Sequence, residues 1–302
     1  MKLLLTGAFK YTEAQIKELE EMGYTCLYMQ DEKQKVEFEE EIEAIVCNGF
    51  FLYHDIKKFK NLKCIQLTSA GLDRVPLEYI KENKLALYNA KGVYSIPMAE
   101  WTILKILEIY KNSKYFYEKQ KEHLWEKNRE LFELAGKKAV IIGAGSIGKE
   151  IAKRLKAFEV NISAVDLYKT TESYIDKYYP LEKMNEALTK SDIIILTLPL
   201  NEKTQHMINK ENIKLMKENS ILINISRGGI IKEEDLISEI KKNKFLGVIL
   251  DVFEKEPLDE NSELWDFNNV IVTPHNSFVS EGNNKRMFRV IKENLANWKK
   301  EH

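Results

Sequence analysis

The glycine-rich stretch at residues 138–166 constrains the fold of this chain more than any other feature. It begins with a short apolar run at 139–142, which is typical of a buried parallel strand. The sequence Gly-Ala-Gly-Ser-Ile-Gly at 143–148 then has G-x-G-x-x-G spacing, and apolar residues recur beyond it at helical intervals. A second apolar run, 160–165, ends at Asp166. The stretch therefore predicts a strand, a tight glycine turn, a helix and a second parallel strand.

Each glycine of this turn has a physical reason to be there. Gly143 permits the sharp turn out of the strand, Gly145 lets a pyrophosphate approach the backbone, and Gly148 lets the helix pack closely on the sheet. The helix N-terminus offers unpaired N–H groups to phosphate oxygens. Asp166 follows Gly143 by 23 positions, close to the spacing of a carboxylate that binds an adenosine ribose. The pattern favours a dinucleotide site over a purely structural turn.

The carboxylate of Asp166 also favours NAD over NADP, because it would repel a 2′-phosphate. Lys169 lies close enough in the sequence to leave NADP open. We therefore expect NADH to bind more tightly than NADPH.

Length and charge limit the other possibilities. A chain of 302 residues predicts two domains. With 46 basic and 47 acidic residues, the net charge of −1 gives no reason to expect a nucleic-acid partner. The five histidines show no metal-binding spacing, so no metal is expected. The three cysteines are isolated in apolar runs and no segment reads as a membrane span, so we expect a cytoplasmic protein with reduced thiols and no membrane partner.

Strand and helix patterns alternate along both halves of the chain, which predicts an α/β fold with two doubly wound parallel sheets. The expected strands lie at 3–6, 25–28, 44–47, 64–67, 85–88, 138–142, 160–165, 193–198, 221–225, 246–252 and 270–273, and the expected helices at 12–21, 183–190, 210–217, 233–242 and 280–300. The last helix is amphipathic and can return to the first domain. The predicted domains are thus 1–97 plus 278–302, and 98–277.

Residues 95–121 predict one long helix, with Pro97 in its first turn and Ser95 as a candidate cap. Its apolar residues cover more than one face. This fits either simple burial or contact with two bodies, such as both domains or a second subunit.

Residues that could do chemistry follow the ends of several predicted strands, where ligands of open α/β sheets bind. Arg227 precedes two glycines and could hold a carboxylate through its planar fork. Asp251 opens an acidic loop, and His275 is a candidate acid or base. In the first domain, the small residues at 68–73 leave backbone N–H groups accessible to an anion. A surface arginine, a solvated loop, a structural histidine and a plain turn are the alternative interpretations.

Taken together, these segments resemble the D-isomer-specific 2-hydroxyacid dehydrogenase family, which includes phosphoglycerate, glycerate, formate and D-lactate dehydrogenases. The likeness spans most of 136–277 and extends into the first domain; it is carried by SAGLDRV, NAKGVYSIPMAEW, VIIGAGSIGKEIAKRLKAF, SDIIILTLPLNEKTQHMINKE, LINISRGGIIKEEDLI, GVILDVFEKEPL and VIVTPHNS. It implies a flavodoxin-like substrate domain, a Rossmann-type NAD domain, an active site in the cleft between them, and a homodimer formed through the nucleotide domain.

The resemblance also implies roles for individual residues. Arg227 would hold the substrate carboxylate, His275 would be the general acid and base, and Glu256 would orient the imidazole and favour its protonated form. Backbone N–H groups of Ala70 and Gly71 would bind the substrate carboxylate. The remaining implied contacts are with the cofactor, through Ser146, Ile147, Asp166, Leu198, Ile225, Ser226 and Asp251, with Asp251 near the nicotinamide carboxamide.

Two departures leave the substrate open. Many relatives have small residues and glycine after the histidine, where this chain has Asn276-Ser277-Phe278, and many have threonine at the position of Leu198. The leading hypothesis is an NAD-dependent oxidoreductase for a D-2-hydroxy acid or its 2-oxo acid. The alternative is a non-enzymatic NADH-sensing regulatory protein of the same fold, and a nucleotide-dependent methyltransferase is disfavoured because its motifs do not match.

Overall fold

The structure is a computed structural model that describes residues 1–169 and 171–301. It divides into two compact units. The first comprises Met1–Tyr94 with the C-terminal segment from Ser280, and the second comprises Ser95–Val279. The domain limits predicted from the sequence, 97/98 and 277/278, fall within three residues of these limits. That the first unit binds the substrate stays a prediction.

The strands and helices of the described residues alternate along the chain. In chain order the strands are β1 (Lys2–Thr6), β2 (Thr25–Met29), β3 (Ala44–Cys47), β4 (Cys64–Leu67), β5 (Ala86–Tyr88), β6 (Lys138–Ile142), β7 (Asn161–Asp166), β8 (Lys177–Pro180), β9 (Ile193–Leu196), β10 (Ser220–Asn224), β11 (Phe245–Leu250) and β12 (Val270–Val272). The helices are α1 (Glu13–Glu21), α2 (Leu77–Glu82), α3 (Ser95–Tyr110), α4 (Ser113–Lys121), α5 (Ser146–Ala157), α6 (Met184–Lys190), α7 (Lys210–Leu215), α8 (Glu233–Ile240) and α9 (Asn283–Glu301).

The first unit is a five-stranded parallel sheet in the order β2-β1-β3-β4-β5, which is the flavodoxin-like order. The inner strands β1, β3 and β4 are mostly apolar and almost fully buried, because both faces of the sheet are covered. Leu3 and Leu5 face a core that α9 completes with Ile291 and Trp298, whereas Leu4 faces the core on the opposite side. Helix α9 is therefore an integral part of this unit.

The second unit is a seven-stranded parallel sheet in the order β12-β11-β10-β9-β6-β7-β8. Strand order reverses between β6 and β9, so a crevice for a ligand is expected at the carboxyl end of β6. Helices α6, α7 and α8 contribute to a core on one face, and α3 packs against α5 and β11. The predicted fold class, two doubly wound parallel α/β sheets, is confirmed.

The long helix predicted over 95–121 is wrong. It is two helices, α3 and α4, because Asn112 adopts a left-handed conformation with φ 47°. A single residue in the left-handed region of φ and ψ ends a helix, and asparagine adopts this conformation more readily than most residues. Pro97 does lie in the first turn of α3, as predicted.

Strand β8 was not predicted. It is a four-residue edge strand, KYYP, and among the described strands it pairs with β7 alone. It ends in proline, which is typical of an edge strand, and it has no apolar run like those of the central strands. The predicted strands 193–198 and 246–252 are too long at their carboxyl ends, where the chain leaves the sheet at Leu196 and Leu250.

Across residues 1–169 and 171–301, none of the helices combines the length and the apolar character needed to cross a membrane.

Candidate active site

The glycine turn after β6 is held by close contacts at two of its three glycines. Gly143 has φ +100°, and a Cβ there would lie 2.9 Å from the Thr197 carbonyl oxygen. A Cβ on Gly148 would lie 2.4 Å from the Gly143 carbonyl oxygen, so α5 can approach the sheet only without one. Gly145 differs, because among the described residues no atom beyond its chain neighbours lies within 4 Å of the position of its Cβ. This side of the turn is open to a ligand that approaches the backbone.

The N-terminus of α5 begins directly at this open side. Gly145 is its N-cap and provides no side-chain hydrogen bond to the first turn, which starts with Ser146 and Ile147. Asp166, at the end of β7, accepts a hydrogen bond from the Ala144 N–H at 2.6 Å. Backbone donors, an uncapped helix start and a half-buried carboxylate are the groups that bind the pyrophosphate and ribose of a dinucleotide. The residues present fit that cofactor.

Asp251 organises the segment that follows β12. Its side chain is fully buried at the end of β11. The carboxylate accepts hydrogen bonds from Thr273 Oγ1 at 2.6 Å, Asn276 N at 2.8 Å and Ser277 N at 3.0 Å. These donors flank His275, which has φ +50°, a conformation that few non-glycine residues adopt. Three charge-assisted hydrogen bonds to one buried carboxylate hold the histidine in this unusual backbone position.

His275 forms an acid–base pair with Glu256. Its Nδ1 lies 2.9 Å from Glu256 Oε2, and both side chains remain about one-third exposed, at 33% and 38%. Glu256 Oε1 also accepts a hydrogen bond from Phe253 N at 3.1 Å. A carboxylate on Nδ1 places the proton on that nitrogen and leaves Nε2 as the atom that can exchange a proton with a ligand. The Glu256–Pro257 peptide bond is cis.

Arg227 lies in a turn that Asn224 builds at the end of β10. Asn224 Oδ1 accepts from the N–H and the hydroxyl of Ser226, and Asn224 Nδ2 donates to the Arg227 carbonyl oxygen at 2.9 Å. A Cβ on Gly228 would lie 1.8 Å from the carbonyl carbon of Phe253. The arginine turn therefore packs directly against the loop that carries Glu256.

A second cluster of titratable groups lies beside these loops. Glu254 accepts hydrogen bonds from the Glu233 N–H and lies 2.9 Å from His206 Nε2, while the Glu233 carboxylate accepts from the Glu254 N–H. Burial raises the pKa of the Glu233 carboxyl above its ordinary value, and the nearby Glu254 carboxylate adds to this, against the lowering effect of the Glu254 N–H. The pair joins the N-terminus of α8 to the 253–256 loop.

The structure thus brings the second unit's predicted catalytic segments together through direct contacts. The residues predicted to line the cofactor differ in how accessible their side chains are. Leu198 is half-buried next to Gly143, but Ile225 is 1% exposed and the Ser226 hydroxyl is engaged by Asn224. Asp251 is engaged by the histidine segment. Their contacts with a cofactor, and that of Asp251 with the nicotinamide carboxamide in particular, stay predictions.

Ala70 and Gly71 belong to the first unit, in the turn that follows β4. Ala70 is exposed and Gly71 is half-buried. Among the described residues, no hydrogen bond takes up the N–H of either one. The turn can therefore donate to a ligand, and the role of both residues in substrate binding stays a prediction.

Sequence reasoning missed Asn224 and Thr273, which shape the turns that carry Arg227 and His275. A signal for Asn224 was present, because a polar residue ends the apolar run ILI of β10, two positions before Ser226. Asparagine at such a position commonly bonds to the backbone two residues ahead. Thr273 had no such signal, since its partner Asp251 is 22 residues away.

Comparisons with known proteins identify the family to which this chain is related. Residues 103–277 match the family described as D-isomer specific 2-hydroxyacid dehydrogenase, NAD binding domain. The chain is 34% identical to a D-3-phosphoglycerate dehydrogenase of Methanocaldococcus jannaschii, over 98% of this chain and 57% of that protein. It is 37% identical to a hydroxypyruvate reductase of Thermotoga maritima, over 73% of this chain and 72% of that one.

A solved structure also resembles the whole chain. It is a D-lactate dehydrogenase from Aquifex aeolicus complexed with NAD and lactic acid, with a TM-score of 0.82 and 25% identity, covering 99% of this chain and 95% of that one. The chain spans only about half the length of the curated phosphoglycerate dehydrogenases that it matches. The family match covers more than half of the chain, and the hydroxypyruvate reductase is covered for more than two thirds of its length. The chain therefore belongs to the D-isomer specific 2-hydroxyacid dehydrogenase family.

Proposed function

We propose that this chain is an NAD-dependent oxidoreductase that interconverts 2-oxo acids and D-2-hydroxy acids. The observation that carries the proposal is the contact between His275 and Glu256. Buried Asp251 binds the segment around His275, and the turn of Arg227 packs against the loop of Glu256. An acid–base pair whose loop packs against the turn of an arginine suits a substrate that carries both a carboxylate and a reducible carbonyl.

The residues of the chain divide the work. When bound, the reduced nicotinamide supplies the hydride that the carbonyl carbon receives. His275 donates the proton from Nε2 to the carbonyl oxygen, and Glu256 on Nδ1 stabilises the imidazolium before that transfer. Arg227 holds the carboxylate and polarises the carbonyl oxygen. In the reverse direction, neutral His275 takes the proton from the hydroxyl.

The first unit, 1–97 plus 278–302 in the sequence-based division, would bind the substrate, with Ala70 and Gly71 donating to its carboxylate. The 98–277 region would bind NAD. Relatives named hydroxypyruvate reductase and phosphoglycerate dehydrogenase favour a small polar substituent on the substrate. A homodimer and a cytoplasmic location stay predictions.

The first test is a turnover screen. NADH oxidation would be followed with glyoxylate, hydroxypyruvate, 2-oxobutyrate, a branched 2-oxo acid and 3-phosphohydroxypyruvate. NADH binding without turnover of any of them would reject the proposed function and favour the NADH-sensing alternative. In the same experiment, NADH should bind more tightly than NADPH because of Asp166.

The second test removes the imidazole at constant backbone conformation. His275→Asn keeps a side chain that tolerates positive φ, and kcat should fall by at least ~10²-fold, the scale of general acid–base catalysis, with NADH still bound. His123→Asn is a matched control, because His123 also has positive φ but is exposed in a loop. Equal kcat values in the two variants would remove His275 from the mechanism.

A further inference from the structure

The turn after β4 has an unusual distribution of hydrogen bonds. Four consecutive carbonyl oxygens, from Thr68 to Gly71, each accept a hydrogen bond from within the first unit. Their donors are the Tyr94 hydroxyl at 2.5 Å, the Ala90 N–H at 2.9 Å, Asn89 Nδ2 at 2.7 Å and the Ser69 hydroxyl at 2.9 Å, in that order. Within the described chain, no hydrogen bond engages the N–H groups of Ser69, Ala70 or Gly71.

This distribution gives the turn a positive electrostatic character. A carbonyl oxygen repels an anion, but here each one is already directed at a donor. The peptide N–H groups are the polar atoms that remain for a ligand, and successive N–H groups form a concave site for an anion. The turn lies at the carboxyl end of β4, where ligands of parallel sheets bind, and Ala70 is exposed there.

Asn89 contributes most specifically to this arrangement. Its Oδ1 accepts a hydrogen bond from the Lys91 N–H at 3.2 Å, so its amide is oriented with Nδ2 toward the Ala70 carbonyl oxygen. The Ala70–Gly71 peptide is planar, which fixes the Gly71 N–H on the side opposite to that oxygen. Asn89 therefore sets the direction of the Gly71 N–H without touching a ligand itself.

We propose that Asn89 is a positioning residue for substrate binding: it orients the 68–71 turn so that its N–H groups bind the carboxylate of the 2-oxo acid. Ser69 and Tyr94 support the same turn through Gly71 and Thr68. This inference rests on the proposed function, because it names how one part of that site recognises its substrate.

The test compares two asparagines of the first unit. Asn89→Leu deletes the donor to the Ala70 carbonyl oxygen. Asn83→Leu is the matched control, because Asn83 Nδ2 likewise donates to a backbone carbonyl, that of Tyr79 at 2.9 Å, away from the turn. Asn89→Leu should raise KM for the 2-oxo acid about tenfold, the effect of losing one charge-assisted hydrogen bond, while kcat changes little. Asn83→Leu should leave both constants near those of the unaltered protein.

A second readout separates positioning from general damage. The ratio of kcat/KM for the 2-oxo acid to that for its methyl ester measures recognition of the carboxylate. It should fall about tenfold in Asn89→Leu, because the ester never used the charge-assisted bond. NADH affinity should stay constant, since the proposed cofactor site lies in the other unit.

The outcomes are distinct. No turnover by the unaltered protein would defeat the proposed function. Turnover with an unchanged acid-to-ester ratio in Asn89→Leu would overturn the inference alone. If Asn89→Leu does not fold, Ser69→Ala, which deletes the donor to the Gly71 carbonyl oxygen, should lower the same ratio, and an unchanged ratio there would also overturn it.

Discussion

Asp251→Asn tests whether the buried carboxylate positions His275. In the protein, Oδ1 accepts from Thr273 Oγ1 and Asn276 N, and Oδ2 accepts from Ser277 N. Asparagine can keep its oxygen at the first position, but its NH₂ group then faces the Ser277 N–H. That buried donor loses its acceptor, and the other two hydrogen bonds lose the contribution of the charge.

The expected cost follows from these contacts. An unsatisfied buried donor costs about 1–3 kcal/mol, and weakening two charge-assisted bonds adds a similar amount, so the total loss of stability is about 3 kcal/mol. For a unit of the size of Ser95–Val279, this loss of stability should lower the melting temperature by about 6–12 °C. Because the turn that carries the imidazole relaxes, kcat should fall on the order of 10²-fold, as expected for a catalytic group displaced by about 1 Å.

Thermal unfolding, NADH titration and steady-state kinetics would be measured together. Asp192→Asn is a control, because Asp192 also accepts a backbone hydrogen bond, from Lys138 N, but binds Lys217 rather than the histidine segment. It should lower the melting temperature without lowering kcat. If Asp251→Asn keeps its kcat while NADH affinity falls, Asp251 serves the cofactor and the positioning role is refuted.

Two further predictions follow from local geometry and from a pKa. Gly145→Ala should preserve the melting temperature but weaken NADH binding, because the added Cβ enters only the open side of the turn. Gly143→Ala should lower the melting temperature, because a φ of +100° strains any L-residue. Equal melting temperatures of the two variants in thermal unfolding would contradict this. Since burial raises the pKa of Glu233 in the folded state, the stability that this carboxyl contributes is present below pH ~4.5 and is lost as the pH rises through the folded pKa. Glu233→Gln should therefore have a higher melting temperature than the unaltered protein at pH 7, and the two melting temperatures should be equal below pH ~4. Glu234→Gln, at an exposed neighbour, should show no such pH-dependent difference in melting temperature.

The sequence was sufficient for the features that depend on local pattern. The glycine spacing at 143–148 predicted a turn whose close contacts at Gly143 and Gly148 the structure confirms. Alternating apolar runs predicted the parallel sheets, because strands buried on both faces form nearly continuous apolar runs. Strand ends could be used to find Arg227 and His275, since the carboxyl ends of parallel strands meet at one edge of a sheet.

Features that depend on a single torsion angle or on partners distant in the chain could not be predicted from local sequence patterns. The break at Asn112 is set by one backbone torsion angle inside an otherwise helical pattern. Strand β8 is short and polar at its edge, so its pairing with β7 has no periodic signature. Asn89 holds the Ala70 carbonyl oxygen across 19 residues, and neither side chain type nor spacing indicates that bond.

The two acidic residues near His275 have different physical tasks. Asp251 is fully buried and accepts three hydrogen bonds from one segment, two of them from backbone N–H groups, so its contacts hold that segment and do not involve the imidazole ring. Glu256 is 38% exposed and contacts the ring at Nδ1, so it determines which nitrogen carries the proton while water can still reach the pair. Position and tautomer are therefore set by separate carboxylates, both of which lie in the loop that follows β11. A change of substrate specificity can alter the loops around this site without altering the acid–base pair, which fits a family whose members bear the names of several different 2-oxo and 2-hydroxy acids.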